Sequence, residues 1–268
     1  MKDKVVIITG GSSGIGKALA EAFGKNGFKI VITGRKKEAL DEVSAALKSQ
    51  HIEAIGFQGD VSIEEDNVKM VAATLQAFGR IDILINNAGI SMRAPFKDVD
   101  LKVIKQVMDI NFWGAIYATK YCLPEILKNK GSVIGISSIA GFRGLPGRVG
   151  YSASKFALQG FLESLRTEMF KTGVHVLTAC PGFTASNIRK SSLTSDGTAQ
   201  GESPRKEELM MTAEECALLI YKATVKRKKY IIMTTQGKMT VFLNKWFPGW
   251  MDKMVYNTMA KEDDSPFS

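Results

Sequence analysis

The chain has 268 residues, of which 45% are hydrophobic, so it is long enough to bury one large core and we expect a single domain. Its net charge is +9, but most of its basic residues are scattered along the sequence, which argues against nucleic acid as a partner. Its 3 cysteines are widely spaced and it has only 2 histidines, which argues against a disulfide framework and against a bound metal ion.

The sequence lacks the long apolar segment of a membrane-spanning helix, which needs about 18 consecutive apolar residues. The first strand-like run begins at Lys4, almost at the first residue. We therefore expect neither a signal peptide nor an N-terminal anchor, and we expect a cytoplasmic protein.

Apolar runs rich in β-branched residues alternate with longer segments of helical period. The runs cover residues 5–9, 29–33, 54–58, 83–85, 132–137 and 174–179. This alternation predicts an α/β fold in which a doubly wound parallel sheet is covered by helices on both faces. Ligands of such a sheet bind at the carboxyl ends of its strands, so the residues that follow each run are the candidates for chemistry.

A glycine-rich segment separates the first predicted strand from a helical segment at residues 17–24. The segment reads Thr9-Gly10-Gly11-Ser12-Ser13-Gly14-Ile15-Gly16. Glycines let the backbone approach a pyrophosphate, whose charge is favoured by the N–H groups at a helix N-terminus. Such glycines also occur in ordinary turns, but the strand before them and the helix after them favour a nucleotide site. Its predicted members are Gly10, Ser12, Ser13, Gly14, Ile15 and Gly16.

The second predicted strand ends in Thr33-Gly34-Arg35, without the acidic residue that usually binds the adenosine ribose in this fold. The guanidinium of Arg35 has a fork of donors that suits a phosphate. Arg35 could instead merely begin a solvated helix. We predict that it binds a 2′-phosphate, so NADP(H) is favoured over NAD(H).

Two further segments follow the third and fourth predicted strands. Asp60-Val61 places a carboxylate where it can accept a hydrogen bond from an adenine amino group, and Asn86-Asn87-Ala88-Gly89 follows the next strand. Each segment alone is also typical of a turn. Their order along the chain supports Asp60, Val61, Asn87, Ala88 and Gly89 as cofactor contacts.

Ser138 follows the fifth predicted strand, Tyr151 comes 13 positions later, and Lys155 lies 4 beyond Tyr151. On a helix, Tyr151 and Lys155 share a face, and a nearby ammonium lowers a phenol pKa from its usual value of about 10. This brings Tyr151 toward the range of an acid or base at neutral pH. Tyr-x-x-x-Lys alone carries little information, since many amphipathic helices contain it.

Together with the glycine-rich segment, Asn86-Asn87-Ala88-Gly89, Asn111, Ser138 and Pro181-Gly182, this pair resembles the short-chain dehydrogenase/reductase superfamily in its shorter, single-domain branch. The resemblance covers residues 4–186 and implies a Rossmann-like fold and a homodimer or homotetramer. It implies that Tyr151 is the general acid in reduction and the base in oxidation, and that Ser138 holds the substrate oxygen. Lys155 would bind the nicotinamide ribose and lower the pKa of Tyr151.

The resemblance gives two more polar residues a role. Asn111, on the helix after the fourth strand, would hold a water that relays protons from Lys155 to solvent; the alternative is a local contact within the helix. Pro181-Gly182 resembles the family's turn near the nicotinamide. Ser186 stands where a threonine is common and keeps a hydroxyl for the carboxamide, although it could also be an ordinary loop serine.

The substrate is not encoded in these motifs. Phe142, Leu145 and Phe183 flank the predicted site and suggest a pocket for an apolar ketone or alcohol of lipid, steroid or acyl type, although aromatic residues there could equally be core. A catalytically silent NADP(H)-binding interaction module is the alternative function. The epimerases and dehydratases of the extended branch are longer and have a different glycine spacing.

We divide the chain into a cofactor-binding and catalytic core at residues 1–186, a polar substrate loop at 187–212 and an amphipathic C-terminal extension at 237–260. The extension predicts two short helices. The apolar positions of the first are Met239, Phe242, Leu243 and Trp246, and those of the second are Trp250, Met251, Met254 and Val255. We favour packing on the domain or on a partner subunit, which would close the pocket. The alternative is peripheral binding to an acidic membrane, helped by the basic residues 226–229.

Overall fold

The computed structural model of the chain describes residues 3–185, 188–201, 210–262, 265 and 267, and it confirms the predicted parallel sheet. Within these residues seven parallel strands lie in the order β3-β2-β1-β4-β5-β6-β7. The strands are β1 (Val5–Ile8), β2 (Lys29–Gly34), β3 (Ala54–Gln58), β4 (Ile83–Asn86), β5 (Ser132–Ile136), β6 (His175–Cys180) and β7 (Tyr230–Ile232). The first six agree with the predicted runs to within one residue at each end.

Helices cover both faces of the sheet, as the near-continuous hydrophobicity of the strands requires. They are α1 (Gly14–Gly24), α2 (Lys37–Ser49), α3 (Glu64–Phe78), α4 (Leu101–Met108), α5 (Gly114–Lys128), α6 (Val149–Glu168), α7 (Ala213–Val225), α8 (Thr235–Trp246) and α9 (Pro248–Ala260). A π-helical turn, Asp109–Trp113, joins α4 to α5.

The alternation of side chains along β1 separates the two halves of the core. Val6 and Ile8 pack with buried residues of α1, α2 and α7. Val5 and Ile7 pack with buried residues of α3, α5 and α6 on the opposite face. All four β1 side chains are fully buried. Because neither face reaches water, the strand carries an unbroken apolar run in place of an alternating one.

The connection of the strands determines where a ligand can bind. The chain pairs β1 with β2 on one side and with β4 on the other, all in parallel. The strand order therefore reverses between β1 and β4, and a crevice opens at their carboxyl ends. The glycine-rich segment follows β1 at this position.

The C-terminal extension forms the two predicted helices. Thr234 caps α8 by accepting a hydrogen bond from the Gly237 N–H, and Pro248 begins α9. The second helix packs through Met251, Val255 and Met259, which form a buried cluster joined by Leu145. Among the helices of the described residues, none is long and apolar enough to cross a bilayer.

Candidate active site

A cavity of about 610 Å³ runs along the carboxyl ends of the strands. Its wall contains residues of the glycine-rich turn, residues that follow β3 and β4, and the predicted catalytic residues. The predicted residues in its wall are Gly10, Ser12, Ser13, Gly14, Ile15, Gly16, Arg35, Asp60, Val61, Asn87, Ala88, Gly89, Ser138, Tyr151, Lys155, Pro181 and Gly182. Asn111 stands behind the wall, and Ser186 lies outside the described residues.

The glycine-rich turn has a shape that side chains would prevent. Gly10 has a φ of +65°, in the left-handed region that favours glycine. A Cβ on Gly16 would lie 2.1 Å from the Gly10 carbonyl oxygen, so the turn closes onto the first turn of α1. No acidic residue lies in that first turn, which leaves the N–H groups and the dipole of α1 favourable to an anion. The turn therefore fits a pyrophosphate.

Asn87 connects the ends of β1 and β4 beneath this turn. Its amide nitrogen donates to the carbonyl oxygens of Thr9 (2.9 Å) and Gly10 (3.1 Å). In return the Thr9 hydroxyl oxygen accepts from the backbone N–H groups of Asn87 and Ala88, both at 3.0 Å. The Asn-Asn-Ala-Gly segment therefore holds the glycine-rich turn at the edge of the cavity. From the sequence, only the position of this segment after the fourth strand supported a role.

The end of β2 presents Arg35 at the rim of the cavity. The side chain is exposed, and the Arg35 carbonyl oxygen accepts a hydrogen bond of 3.1 Å from the Gln58 amide. A Cβ on the preceding Gly34 would lie 3.4 Å from the Ser12 hydroxyl, so the chain runs close to the glycine-rich turn here. A phosphate held at this rim would meet a guanidinium and no carboxylate from β2.

Asp60 serves the local turn as well as the cavity. Its carboxylate accepts from the Ser62 N–H at 2.9 Å and from the Ser62 hydroxyl at 2.7 Å. Asp60 therefore has the role in a turn that the sequence analysis named as the alternative. Because a carboxylate oxygen accepts more than one hydrogen bond, the same group keeps capacity for an adenine amine in the cavity that it lines.

Ser138 and Tyr151 meet at the centre of the cavity from two different elements. Ser138 follows β5 and caps a short 3₁₀ turn, Ile139–Gly141. Its hydroxyl oxygen accepts a 3.2 Å hydrogen bond from the Ala140 N–H. Tyr151 lies in the first turn of α6 and lines the cavity with Ser138, and its hydroxyl lies near enough for the Ser138 side chain to act on its pKa. The two hydroxyls can therefore approach one substrate oxygen together.

Burial raises the pKa of Tyr151 above the ordinary tyrosine value. The Ser138 hydrogen bond and the charges of Arg148 and Arg189 act in the opposite direction but do not outweigh it. The expectation that the neighbouring ammonium brings this pKa below its usual value is therefore wrong for the protein by itself, because burial dominates. A phenol with a raised pKa keeps its proton at neutral pH, which suits a general acid.

Lys155 is almost fully buried one helical turn after Tyr151. Its ammonium donates a 2.9 Å hydrogen bond to the Ile136 carbonyl oxygen and lies 5.7 Å from the centre of the Tyr151 ring. Burial lowers the pKa of Lys155 to about 8, so near neutral pH this group exchanges its proton more readily than a surface lysine. The predicted pairing on one helix face is confirmed.

Asn111 lies in the π-helical turn between α4 and α5, not in a regular helix as predicted. Its side-chain oxygen accepts from the Ile90 N–H at 2.8 Å, and its amide donates to the Ile90 carbonyl and to the Ser154 hydroxyl, both at 2.9 Å. These partners come from the chain after β4 and from α6, so the alternative of a contact within its own helix is wrong. Lys155 Nζ and Asn111 Oδ1 both lie beside Gly89.

The substrate end of the cavity differs in part from the apolar pocket that the sequence suggested. Leu145 and Phe183 line it, whereas Phe142 packs against Tyr230, with ring centres 5.5 Å apart. Arg148 and Arg189 also line it, although the sequence analysis singled out neither of them. Arg148 had one usable signal, since it stands three positions before Tyr151 and directly before the helix that carries it.

The chain is similar in sequence to known oxidoreductases. The family model of short chain dehydrogenases matches residues 4–196. A mouse protein named dehydrogenase/reductase SDR family member 7B is 34% identical over 274 aligned residues, which cover 100% of this chain and 85% of the mouse protein. 11-beta-hydroxysteroid dehydrogenase A of Arachis hypogaea is 33% identical and covers 95% of this chain and 76% of its own.

Solved structures give the same fold. A short-chain dehydrogenase/reductase of Burkholderia phymatum in complex with NAD has a TM-score of 0.83 at 24% identity, covering 93% of this chain and 95% of its own. An alcohol dehydrogenase of Thermococcus sibiricus complexed with 5-hydroxy-NADP has a TM-score of 0.76 at 21% identity, covering 86% and 95%. The two carry different cofactors, so the fold alone does not select between them.

The chain therefore belongs to the short-chain dehydrogenase/reductase family, as its motifs predicted. It is an oxidoreductase with a fold that binds a nicotinamide dinucleotide. The glycine-rich turn, with its open helix N-terminus, fits such a group.

Proposed function

We propose that the protein is an NADPH-dependent reductase of ketones with a large apolar part. The observation that carries this proposal is the meeting of the Ser138 and Tyr151 hydroxyls in the same cavity that begins at the glycine-rich turn. Leu145 and Phe183 provide apolar surface beside these hydroxyls. NADPH bound along the strand ends would supply the hydride.

The proposed roles follow from what each side chain can donate or accept. Ser138 and Tyr151 hold the carbonyl oxygen, and Tyr151 gives it a proton as negative charge develops there. Lys155 binds the ribose next to the reacting carbon. Asn111 orders the chain at Ile90 and holds the water through which Lys155 regains a proton from solvent.

A substrate panel tests the proposed class. We expect NADPH oxidation with acyl-chain, sphingoid or steroid-type ketones at a higher kcat/KM than with a short polar ketone of the same reacting group. The apolar wall contributes about 25 cal/mol for each Å² of apolar surface that a substrate buries, so affinity should rise with chain length. Equal kcat/KM values along a homologous series of ketones would contradict an apolar substrate.

We further propose that the first helix of the C-terminal extension docks on an anionic membrane surface. Of the predicted α8 stripe, Met239, Phe242 and Trp246 are exposed, and Phe247 and Trp250 continue this surface into α9, each of the five between 55% and 61% exposed. We call these five residues the aromatic patch. Packing on the domain is provided by Met251, Val255 and Met259 of α9. The domain does not cover the aromatic patch, so of the interpretations from sequence a partner subunit or a membrane is left for it.

The charges around the aromatic patch favour a membrane over a second protein subunit. Lys238 and Lys245 are exposed on the same helix, and the Lys245 ammonium lies 5.7 Å from the Trp246 ring centre. Tryptophan and phenylalanine beside lysine are the composition of interfacial helices, which insert apolar side chains below anionic headgroups. The net charge of +9 acts in the same direction.

Vesicle flotation tests this docking. We expect the protein to float with vesicles of phosphatidylcholine and phosphatidylserine, less so at high salt, and expect a Trp246→Ser/Trp250→Ser variant to lose binding. Phe170→Ser is the matched control, because Phe170 is an exposed aromatic outside the patch. If the native protein does not float, and the double variant instead converts a dimer to a monomer, the patch is a subunit interface and the membrane proposal is wrong.

A further inference from the structure

The C-terminal extension covers the segment that joins the two catalytic hydroxyls. This segment, residues 142–148, leads from the turn after Ser138 to the start of α6. The Asn244 amide of α8 donates a 3.0 Å hydrogen bond to the Phe142 carbonyl oxygen, and Arg143 forms an ion pair with Asp252 of α9. Leu145 joins the buried cluster of α9. The segment that sets the spacing of Ser138 and Tyr151 is thus held from outside the catalytic core.

Glu262, two residues after α9, makes the most buried of these attachments. Its carboxylate oxygen lies 3.2 Å from Arg148 Nη2 and 3.7 Å from Arg93 Nη2. The three side chains are 4%, 13% and 9% exposed in the order Glu262, Arg148, Arg93. Charges so far from water interact much more strongly than a surface pair, so the shared Glu262 carboxylate holds both arginines firmly.

Both arginines belong to backbone that shapes the catalytic site. Arg148 is the residue before α6 and lines the cavity, and its carbonyl oxygen accepts from the Ser152 N–H at 2.8 Å in the turn that contains Tyr151. Arg93 lies in the segment between β4 and α4. The next residue, Ala94, donates a 2.9 Å hydrogen bond to the Gly147 carbonyl oxygen. One carboxylate therefore joins residue 262 to the two segments that meet just before the Tyr151 turn.

We propose that Glu262 is a positioning residue for the reaction: bound between Arg93 and Arg148, it fixes the start of α6 so that the Tyr151 hydroxyl stays beside Ser138. The inference rests on the proposed catalytic role of Tyr151. Without the Glu262 charge, Arg93 and Arg148 lose the carboxylate that holds both of them at the base of the Tyr151 turn. Arg148 then moves toward water or into the cavity, and the turn moves with it.

Glu262→Gln tests this role, because it removes the charge and keeps the shape. We expect kcat for ketone reduction to fall about tenfold, since a small displacement of a catalytic group is costly, while the Kd for NADPH stays within about twofold. Glu262→Asp, which restores the charge, should recover part of the loss. Glu53→Gln is the matched control, because Glu53 pairs with Lys29 and its side chain is 61% exposed.

Hydrogen exchange supplies a readout that does not depend on turnover. In Glu262→Gln we expect faster exchange confined to peptides that span residues 142–152, with unchanged exchange in the strands. A kcat equal to that of the native protein overturns the proposal, and so does an activity loss accompanied by faster exchange throughout the sheet, which indicates general destabilisation. If the native protein reduces no ketone, the proposed function fails, and local exchange in Glu262→Gln still decides whether the attachment exists.

Discussion

Tyr151→Phe should lower kcat for ketone reduction by ~10²–10⁴-fold, the range that proton transfer by a positioned side chain usually contributes. The substitution keeps the aromatic ring and removes the one hydroxyl that can both hold the substrate oxygen and protonate it. Because burial raises the Tyr151 pKa, the native phenol is protonated throughout the neutral range before each turnover. The measurement is steady-state reduction of the best ketone of the panel.

The Kd for NADPH shows whether Tyr151→Phe loses only proton transfer or also loses the cofactor site. The ring of Tyr151 is retained, so we expect the Kd for NADPH to change by less than about threefold, well under the ~10-fold that corresponds to 1.4 kcal/mol. Tyr121→Phe is the matched control, because the Tyr121 hydroxyl is bonded to Glu64 at the protein surface. Retention of most of the activity by Tyr151→Phe would show that another group provides the proton.

Arg35→Ala should weaken NADPH binding by about 10- to 100-fold and leave NADH binding nearly unchanged. One charge-assisted hydrogen bond contributes roughly 1.5–3 kcal/mol, and only NADPH has the 2′-phosphate that can accept it. The exposed position of Arg35 at the cavity rim places the expected effect toward the lower end of this range, because solvent screens the charge. The ratio of kcat/KM for NADPH to that for NADH gives the result.

Lys37→Ala is the control for charge alone. Lys37 lies two residues after Arg35, but its ammonium is bound to Asp41 at 2.6 Å along α2. We expect the cofactor ratio of this variant to match that of the native protein. A native enzyme that prefers NADH would reverse the cofactor assignment, whereas an unchanged ratio in Arg35→Ala would leave the preference in place and remove Arg35 as its cause.

The fold was predictable because its strands are buried on both faces. A strand such as β1, with all four side chains fully buried, leaves an unbroken apolar run in the sequence that turn residues delimit. The glycine-rich turn was predictable for a related reason, since only glycine fits where Gly16 meets the Gly10 carbonyl. A local steric requirement of this kind selects the residue type at the position where it applies, so it can be recognised in the sequence.

The environment of Tyr151 was not predictable from spacing. Helix geometry correctly placed Lys155 on the same face, but the pKa of Tyr151 depends on burial by segments from distant parts of the chain, and on Arg148 and Arg189. Glu262 lies 114 positions after Arg148, and nothing in the local sequence of either residue indicates their ion pair. Such long-range contacts have no periodic signal.

The amphipathic extension shows a second limit. Its apolar stripes correctly predicted two helices with a break at Pro248, because periodicity and proline act locally. An apolar stripe does not identify the surface that packs against it. In the structure Met251 and Val255 of the α9 stripe are buried, whereas Met239, Phe242 and Trp246 of the α8 stripe are exposed.

Isotope transfer shows whether the Ser138–Tyr151 site moves a hydride from NADPH to a carbonyl carbon. The native protein is incubated with a ketone of the panel and NADPH carrying deuterium at C4 of the nicotinamide. We expect one deuterium on the carbinol carbon of the product, and at least ~10²-fold slower labelling with Tyr151→Phe. Tight NADPH binding without any labelled alcohol from any ketone would contradict the claim and identify the protein as a silent cofactor-binding module.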